Sequence, residues 1–422
     1  MQRTLALLSV IALAGCAGAG VVPPRSSPAQ APQSARAHQD ATSATPGEAN
    51  TALPGEANNA LPGEANNALP GEANNALPGE ANVSLPGATF ACPDLPATGS
   101  AACTLAVNTN VPPSANPAQP AALIAGLHPA DLQSAYALPA QNAGGTVAVV
   151  DAYDDPTAEA DLAAYRAAFG LPSCTTANGC FRKLNQRGQS AAYPGVSTGW
   201  SEETALDLDM VSAACPRCSI VLVEADSALI DDLGASVDTA AALGATAVSN
   251  SYYAVEWANQ QAEDVHYRHD GVAITASSGD RYYPSYPASS AAVTAVGGTS
   301  LKGSGGSWSE TGWTYTGHGC SKYSRKPWYQ QRLTCKTRAA VDVAAVADPQ
   351  TGVATFSTAG GGWYVAGGTS VGAPLIAAAY ALSGHPADPG YSYLRWHSFR
   401  PVDGAGYETL TGIGSPLGVS GL

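Results

Sequence analysis

Charge and long apolar runs are both scarce in this sequence of 422 residues. Only 12% of the residues are charged, and 19 Lys and Arg against 33 Asp and Glu give a formal net charge of −14. Proteins that bind nucleic acids need clustered positive charge to neutralise phosphates, so this composition argues against nucleic acid as a partner. After the first twenty residues no stretch is apolar enough to span a bilayer as a helix.

The first residues of the chain are typical of an export signal. A short basic start precedes an apolar run, Thr4 to Leu13, that is too short for a stable membrane helix. The next residues, Leu13-Ala14-Gly15-Cys16, resemble a bacterial lipobox, in which the cysteine is lipidated after cleavage. We therefore predict a signal peptide over residues 1–15 and an exported protein whose lipidated Cys16 holds it to a membrane at the cell envelope, on the outer membrane or cell surface. The alternative is an ordinary signal peptide cut among the small residues 14–20.

An eight-residue unit, LPGEANNA in its commonest form, repeats from Thr45 to Pro86. Each unit contains Pro-Gly, one Glu and at most one Leu, so the repeats cannot bury a hydrophobic core. We predict a disordered tether over residues 16–87 and a folded domain over residues 88–422. The alternative is a repeat that binds a specific ligand.

Cysteine is comparatively abundant, and eight of the nine cysteines lie beyond Cys16. Eight cysteines allow roughly a hundred pairings, so the sequence alone leaves their connectivity open. Because short loops lose little entropy on closure, we predict four sequential disulfides, formed in an oxidising compartment. The alternative makes Cys215 and Cys218 half of a zinc site or a redox motif, although no second CxxC is present. The predicted pairs are Cys92 with Cys103, Cys174 with Cys180, Cys215 with Cys218, and Cys320 with Cys335.

Strand-like and helix-like segments alternate along the folded part, which is typical of an α/β fold with a doubly wound, mostly parallel sheet and helices on both faces. The predicted strands are 146–151, 220–224, 246–250 and 272–276, and the predicted helices are 157–169, 202–214, 230–243, 255–267 and the segment that begins at Ser370. Functional residues of such sheets gather at the carboxyl ends of the strands. This rule singles out Asp151, Ser251, Asp280 and the glycine-rich turn before Ser370.

The tetrapeptide GGTS occurs twice, ending at Ser300 and at Ser370. Ser370 precedes a helix whose first turn accommodates Pro374, so its hydroxyl lies in the positive field of a helix N-terminus. Ser300 instead runs on into a glycine-rich loop, and a turn that ends a strand is the simpler interpretation of that site. We therefore predict Ser370 as the nucleophile.

A serine nucleophile needs a base, and the sequence offers carboxylates rather than histidine. The histidines lie in polar or loop contexts, and none lies in a helix start like that of the subtilisins. Glu203 and Asp207 are four residues apart on a predicted helix, where they share one face. Two carboxylates so close raise one pKa and can share a proton. In the alternative interpretation Glu203 stabilises the first turn of the helix and Asp207 lies on a solvated face.

Three motifs together resemble those of the sedolisin family of serine-carboxyl peptidases, which have a subtilisin-like fold. These motifs are GGTSVGAPL around Ser370, ETALD from Glu203 to Asp207, and SSGD ending at Asp280. The resemblance implies that Ser370 is the nucleophile, Glu203 the general base, Asp207 its orienting partner, and Asp280 part of the oxyanion hole. It implies an endopeptidase that hydrolyses peptide bonds of proteins or peptides through an acyl-enzyme. Because an aspartate donates to an oxyanion only when protonated, we expect activity at acid pH, about 3 to 5.

The sequence departs from the family pattern in three places. Tyr253 replaces a glycine beside the substrate cleft, where its bulk is expected to narrow a subsite. The family's calcium site near the C-terminus is incomplete, since Pro401 stands where its first Asp is expected and Glu408 matches only loosely. We therefore expect calcium binding to be weak or lost and no cofactor to be required. The stalk before the folded domain is too short to form the family's large prodomain, so we expect maturation to differ.

Two other functions compete with an acid endopeptidase. One is a subtilisin-type serine peptidase with a triad of Asp151, an unidentified histidine and Ser370, for which a neutral pH optimum is expected. The other is a tethered binding protein on an inactive peptidase scaffold. In each case we expect a monomer.

Overall fold

The computed structural model describes residues 83–92, 95–385, 387–404 and 406–422. The predicted signal peptide, the lipidation site at Cys16 and residues 16–82 of the predicted tether lie outside the described residues. Residues 83–87 are described, and Leu85 is 7% exposed because it packs with Ala88 and Trp313. The last residues of the predicted tether therefore pack on the folded domain.

The strands form one large central sheet and smaller sheets beside it. In chain order they are β1 (Ala88–Phe90), β2 (Ala102–Cys103), β3 (Ala106–Asn108), β4 (Thr146–Ala152), β5 (Phe181–Asn185), β6 (Ser219–Ala225), β7 (Ala247–Asn250), β8 (Tyr252–Val255), β9 (Ala273–Ser277), β10 (Ser285–Tyr286), β11 (Thr294–Ser304), β12 (Ser307–Gly312), β13 (Val343–Val346), β14 (Val353–Ser357), β15 (Gly362–Gly367), β16 (Phe399–Arg400) and β17 (Ser415–Pro416).

The helices are fewer and lie between the strands. The α-helices are α1 (Pro129–Ala135), α2 (Ala158–Ala168), α3 (Thr198–Ala214), α4 (Ile230–Ala242), α5 (Gly372–Ser383) and α6 (Pro389–Leu394). Short 3-10 helices cover Ala121–Leu123, Gln260–Tyr267, Trp328–Gln330, Pro349–Thr351 and Trp396–Ser398. The predicted helix over 255–267 is wrong in its first half, because Tyr252–Val255 is strand β8 and Asn259 has a left-handed φ of 69°.

The central sheet has the strand order β12-β11-β9-β7-β4-β6-β5, and β13 also pairs with β11. All of these pairs are parallel except β11 with β12. Alternate residues of β4 point to opposite faces: Val149 belongs to the hydrophobic cluster that contains Leu206 of α3, and Val150 to the one that contains Leu233 of α4. Helices therefore cover both faces, which confirms the predicted α/β, doubly wound, mostly parallel sheet.

All four predicted disulfides are present, and Cys215 pairs with Cys218 across three residues. The bond contradicts the alternative of a zinc site at Cys215 and Cys218, because a zinc ligand is a thiolate, whereas the redox alternative stays untested. Four disulfides are typical of a protein that folds outside a reducing cytoplasm. In the described part of the chain no helix combines the length and apolar character needed to cross a membrane.

Candidate active site

Ser370 lies in the tight turn between strand β15 and helix α5, and its side chain is completely buried. Gly368, two residues earlier, has a φ of 92°, a conformation that glycine adopts without steric penalty. The backbone N–H groups of Gly372 and Ala373 donate to the carbonyl of Thr369, so the helix begins directly after the serine. Ser370 thus stands at the N-terminus of a 12-residue helix, as the sequence predicts.

Ser300 has a different environment, although its local sequence is the same. It lies inside strand β11 opposite Thr311, and its hydroxyl donates to Asp348 Oδ2 at 2.6 Å. The expected turn at the end of the strand is wrong, because β11 continues to Ser304 and forms a hairpin with β12. The first GGTS is therefore part of a sheet, whereas the second leads into a helix.

Glu203 and Asp207 lie on one face of α3, and both are fully buried near Asp151, at the end of β4. We call these three residues the carboxyl cluster. The alternative of a first-turn Glu203 and a solvated Asp207 is contradicted, because α3 begins at Thr198 and both side chains have 0% exposure.

Burial raises the pKa of each carboxyl group in the carboxyl cluster. Burial raises the pKa of Glu203 well above its ordinary value, and the charge of Asp151 raises it further. Burial also raises the pKa of Asp207, with the charges of Asp151 and Glu203 adding to the effect. The pKa of Asp151 itself rises to about 7, mainly through burial. Because three such neighbours resist being ionised together, the loss of a proton from one carboxyl group makes ionisation of the other two less favourable.

The Ser370 hydroxyl is close enough to Glu203 to lower the pKa of that carboxyl group by hydrogen bonding. Neither carboxylate oxygen of Glu203 has a hydrogen-bond partner of ordinary geometry among the described residues. Ser370 and Glu203 are therefore brought close together, although no hydrogen bond of ordinary geometry joins them.

Asp280 lies on the other side of the turn, after strand β9. Its Oδ1 accepts hydrogen bonds from the backbone N–H of Thr369 at 2.9 Å and from the Thr369 hydroxyl at 2.8 Å. Its Oδ2 is buried and has no hydrogen-bond partner within the described residues. Burial raises the pKa of Asp280 to about 7, although both hydrogen bonds from Thr369 lower it. Below that pH the carboxyl group is protonated and Oδ2 can donate an O–H.

Thr104, which the sequence analysis did not single out, also touches the site. It is 1% exposed between β2 and β3, and its Oγ1 lies 2.6 Å from Ser370 Oγ. Thr104 Oγ1 donates in turn to Ser277 Oγ at 2.9 Å. The surrounding letters, ACTLAV, match no catalytic motif, and the contact joins positions 266 residues apart. The sequence therefore contained no local signal for it.

The histidines are engaged elsewhere, and no histidine of the described chain is hydrogen-bonded to Ser370. Five of them contact backbone carbonyls or Asp238, and His397 stacks on Trp396. Asp151 lies beside Thr204 and the two carboxyl groups of α3. The subtilisin-type alternative therefore has an aspartate in place but, among the residues that the structure describes, no histidine hydrogen-bonded to the serine.

The C-terminal segment offers little for a calcium ion. Asp403 Oδ2 accepts a hydrogen bond from the backbone N–H of Gly312 at 2.5 Å. Among the described residues, which omit position 405, no group of three or more His, Cys, Asp or Glu is gathered as in a metal site. Pro401 supplies no carboxylate and one oxygen of Asp403 is engaged by the backbone, so weak or absent calcium binding stays a prediction.

Comparison with known proteins yields matches in structure only. No family model matches the chain, and no curated protein matches its sequence. The chain is similar to Pseudomonas sedolisin, a serine-carboxyl proteinase solved with two molecules of pseudo-iodotyrostatin, at 22% identity and a TM-score of 0.59, over 69% of this chain and 96% of that chain. It is also similar to fervidolysin from Fervidobacterium pennivorans, a keratinolytic enzyme related to subtilisin, at 17% identity and a TM-score of 0.44, over 67% and 42% of the two chains. The first of these likenesses confirms the predicted fold.

Proposed function

We propose that the protein is a serine endopeptidase of the serine-carboxyl type, which hydrolyses protein or peptide substrates at acid pH. The observation that carries this proposal is the buried pairing of Ser370 with Glu203, with Asp280 on the opposite side of the serine. The fold that the chain shares with sedolisin supports it as well.

In the proposed mechanism Ser370 Oγ attacks the scissile carbonyl while Glu203 accepts its proton. Asp207 lies behind Glu203 on the same helix face and shares a proton with it, which keeps Glu203 oriented toward the serine. Glu203 then gives the proton to the leaving amine. In the second half of the reaction it removes a proton from the water that hydrolyses the acyl-enzyme.

Asp280 supplies the hydrogen bond that stabilises the oxyanion. Its Oδ1 is fixed by Thr369, so its protonated Oδ2 is directed at the carbonyl oxygen of the substrate. A carboxyl group donates only while neutral, and the pKa of Asp280 is about 7. Activity is therefore expected to fall as the pH rises through neutrality. No cofactor takes part in this mechanism.

We further propose that the enzyme acts outside the cytoplasm as a lipid-anchored monomer. Its four disulfides support folding in an oxidising compartment. The anchor at Cys16, on the outer membrane or cell surface, rests on the sequence pattern alone.

The first test is peptide cleavage by the exported chain across the acid and neutral range, with Ser370→Ala beside the matched control Ser300→Ala. We expect Ser370→Ala to lower kcat by about 10³-fold or more, because the nucleophile is lost. Ser300→Ala should retain near-normal activity, since Ser300 is held by Asp348 in a sheet. Glu203→Gln should be as inactive as Ser370→Ala.

Two results would contradict the proposal. Activity that peaks near neutrality and survives Glu203→Gln would place the base elsewhere and favour the subtilisin-type triad. A folded chain that cleaves no peptide at any pH would favour the binding scaffold.

A further inference from the structure

A surface cavity of about 540 Å³ opens between helix α6 and the disulfide-closed loop that precedes β13. Most of the side chains that line it are aromatic or aliphatic, and three of them are strongly exposed: Trp328 at 58%, Leu394 at 67% and Trp396 at 46%. Of the described tryptophans only these two are exposed. We call the lining residues Trp328, Arg332, Leu333, Leu394 and Trp396 the aromatic face.

The aromatic face is held in place by the residues beneath it. A Cβ on Gly390 would lie 2.3 Å from Cζ2 of Trp328, so the glycine lets the indole ring pack against the start of α6. The rings of Tyr329 and Tyr393 lie 5.0 Å apart, and Gln330 Nε2 donates to the Tyr393 hydroxyl at 2.9 Å. The exposed apolar side chains therefore belong to a packed surface, which a disulfide also closes.

Positive charge is concentrated in the same loop, although the net charge of the chain is −14. Residues 322–338 contain six of the 19 Lys and Arg residues, and no Asp or Glu occurs in residues 311–341. The exposed cations of the loop that form no ion pair with another described residue are Lys322, Arg325, Arg332 and Lys336. The acids on the adjoining segments are Asp388, which caps α6 by accepting a backbone N–H, and Glu408. The cations outnumber these two acids.

The aromatic face and the catalytic residues lie at opposite ends of the central sheet. The loop is fixed to the sheet at Asp342, whose backbone N–H donates to Ala295 at the start of β11, and β13 begins directly after it. The backbone N–H of Ile413, which also lines the cavity, donates to the carbonyl of Asp342. Asp151 and Asp280 instead lie at the carboxyl ends of β4 and β9, which run parallel to β11 and β13.

We propose that the aromatic face docks on a membrane surface rich in anionic phospholipids. Tryptophan and leucine side chains suit the boundary between the headgroups and the acyl chains. The cations of the loop are complementary to the anionic phosphates that cover such a surface. An acidic polysaccharide would match the charge but would offer no apolar layer to Leu394, which is 67% exposed.

This inference goes beyond the proposed function, because it concerns where the folded domain sits and not what it cleaves. The lipid anchor predicted at Cys16 would bring the domain near a membrane, and the aromatic face would then hold it on the surface. Since the catalytic residues lie at the other end of the sheet, docking would leave the cleft open to substrates from the aqueous side.

The test measures tryptophan fluorescence of the full exported chain on vesicles with brominated acyl chains, which quench tryptophans that touch them. Ser370→Ala is used as the background, so that digestion does not interfere. We expect quenching by an equal mixture of phosphatidylglycerol and phosphatidylcholine, little quenching by phosphatidylcholine alone, and release in high salt. The chain has no tryptophan before Trp200, so anchoring at Cys16 gives no quenching by itself. Trp328→Phe and Trp396→Phe should each remove part of the signal.

Two pairs of variants test the charged and the apolar parts of the aromatic face. Arg332→Glu should raise the concentration of anionic vesicles needed for half-maximal quenching by about tenfold. Lys302→Glu makes the same change of charge on an exposed residue of β11 and should leave this concentration unchanged. Leu394→Ser should weaken docking, whereas Leu123→Ser, at a position that is 71% exposed, should not.

Three results would overturn the proposal. One is equal quenching by anionic and neutral vesicles, and another is an effect of Lys302→Glu as large as that of Arg332→Glu. The third is a chain that is not quenched by either kind of vesicle; a shift of its tryptophan emission on adding polyglutamate would then assign the aromatic face to an acidic protein segment. With Ser370 intact, Arg332→Glu should cleave a soluble peptide at the wild-type rate, so that failure of docking and failure of the proposed peptidase are distinguished.

Discussion

At the scale of single residues, Asp280 shows how burial assigns a role to a carboxyl group. Thr369 donates two hydrogen bonds to its Oδ1, while its Oδ2 is left for a partner outside the described chain. An asparagine has nearly the same shape, and its amide N–H donates at every pH. The two side chains therefore differ mainly in the pH range over which they can stabilise an oxyanion.

We predict that Asp280→Asn keeps activity within about tenfold of wild type at acid pH and extends it to higher pH. The wild-type carboxyl group loses its proton near pH 7, where its pKa lies, whereas the amide does not titrate. The measurement is the pH profile of kcat/KM. Asp280→Ala removes the hydrogen-bond donor, so we expect it to lower kcat/KM by about 10²- to 10³-fold. If Asp280→Asn loses activity at the same pH as the wild type, titration of the carboxyl cluster instead of Asp280 sets the upper end of the pH profile.

At the scale of elements, one buried ion pair fixes the segment before β13 onto the central sheet. Arg338 and Asp342 are both 0% exposed, and Nη2 of Arg338 lies 2.5 Å from Oδ2 of Asp342. Asp342 also accepts a hydrogen bond from the backbone N–H of Ala295 in β11 at 2.8 Å. Removing one partner of such a pair leaves a buried charge without compensation.

We predict that Arg338→Met lowers the free energy of unfolding by about 3–5 kcal/mol, which denaturant titration measures. The matched control is Arg187→Met, whose bond to Asp226 joins side chains 52% and 38% exposed, so its loss should cost less than about 1 kcal/mol. The fraction of the Arg338→Met variant that stays folded should show a normal kcat, since the ion pair lies outside the proposed site. If Arg338→Met and Arg187→Met lowered the free energy of unfolding by similar amounts, this account would be contradicted.

The elements that the sequence predicted well are those whose pattern is local. The run 146–151 was predicted as a buried strand because it is short and continuously apolar, and the helix around Glu203 and Asp207 was predicted close to its observed bounds. The burial of Asp207 was not, since a solvated face and a site face look alike in one sequence. The strand through Ser300 and the short strands β2 and β3 depend on pairing with distant strands, which local composition does not encode.

At the scale of the whole molecule, buried acids couple function to stability. Glu203, Asp207, Asp151 and Asp280 are all fully buried, and the pKa of each is raised. The folded chain therefore holds protons that the unfolded chain has lost above about pH 4. The net charge of −14 adds repulsion in the same direction as the pH rises. These shifts predict a fold that is more stable at acid pH than at neutral pH.

We predict that the free energy of unfolding falls as the pH rises from about 4 to about 7. Asp151 and Asp280, whose pKa values rise from 3.8 to about 7, stabilise the fold fully below the unfolded value, and this contribution is lost as the pH passes the folded value. Each proton held only by the folded chain gives a slope of about 1.4 kcal/mol per pH unit. Denaturant titrations on Ser370→Ala, which lacks the proposed nucleophile and so cannot digest the sample, measure this slope, and adding Asp280→Asn should reduce it. Stability that instead increased across this range would show that these carboxyl groups are ionised in the folded protein.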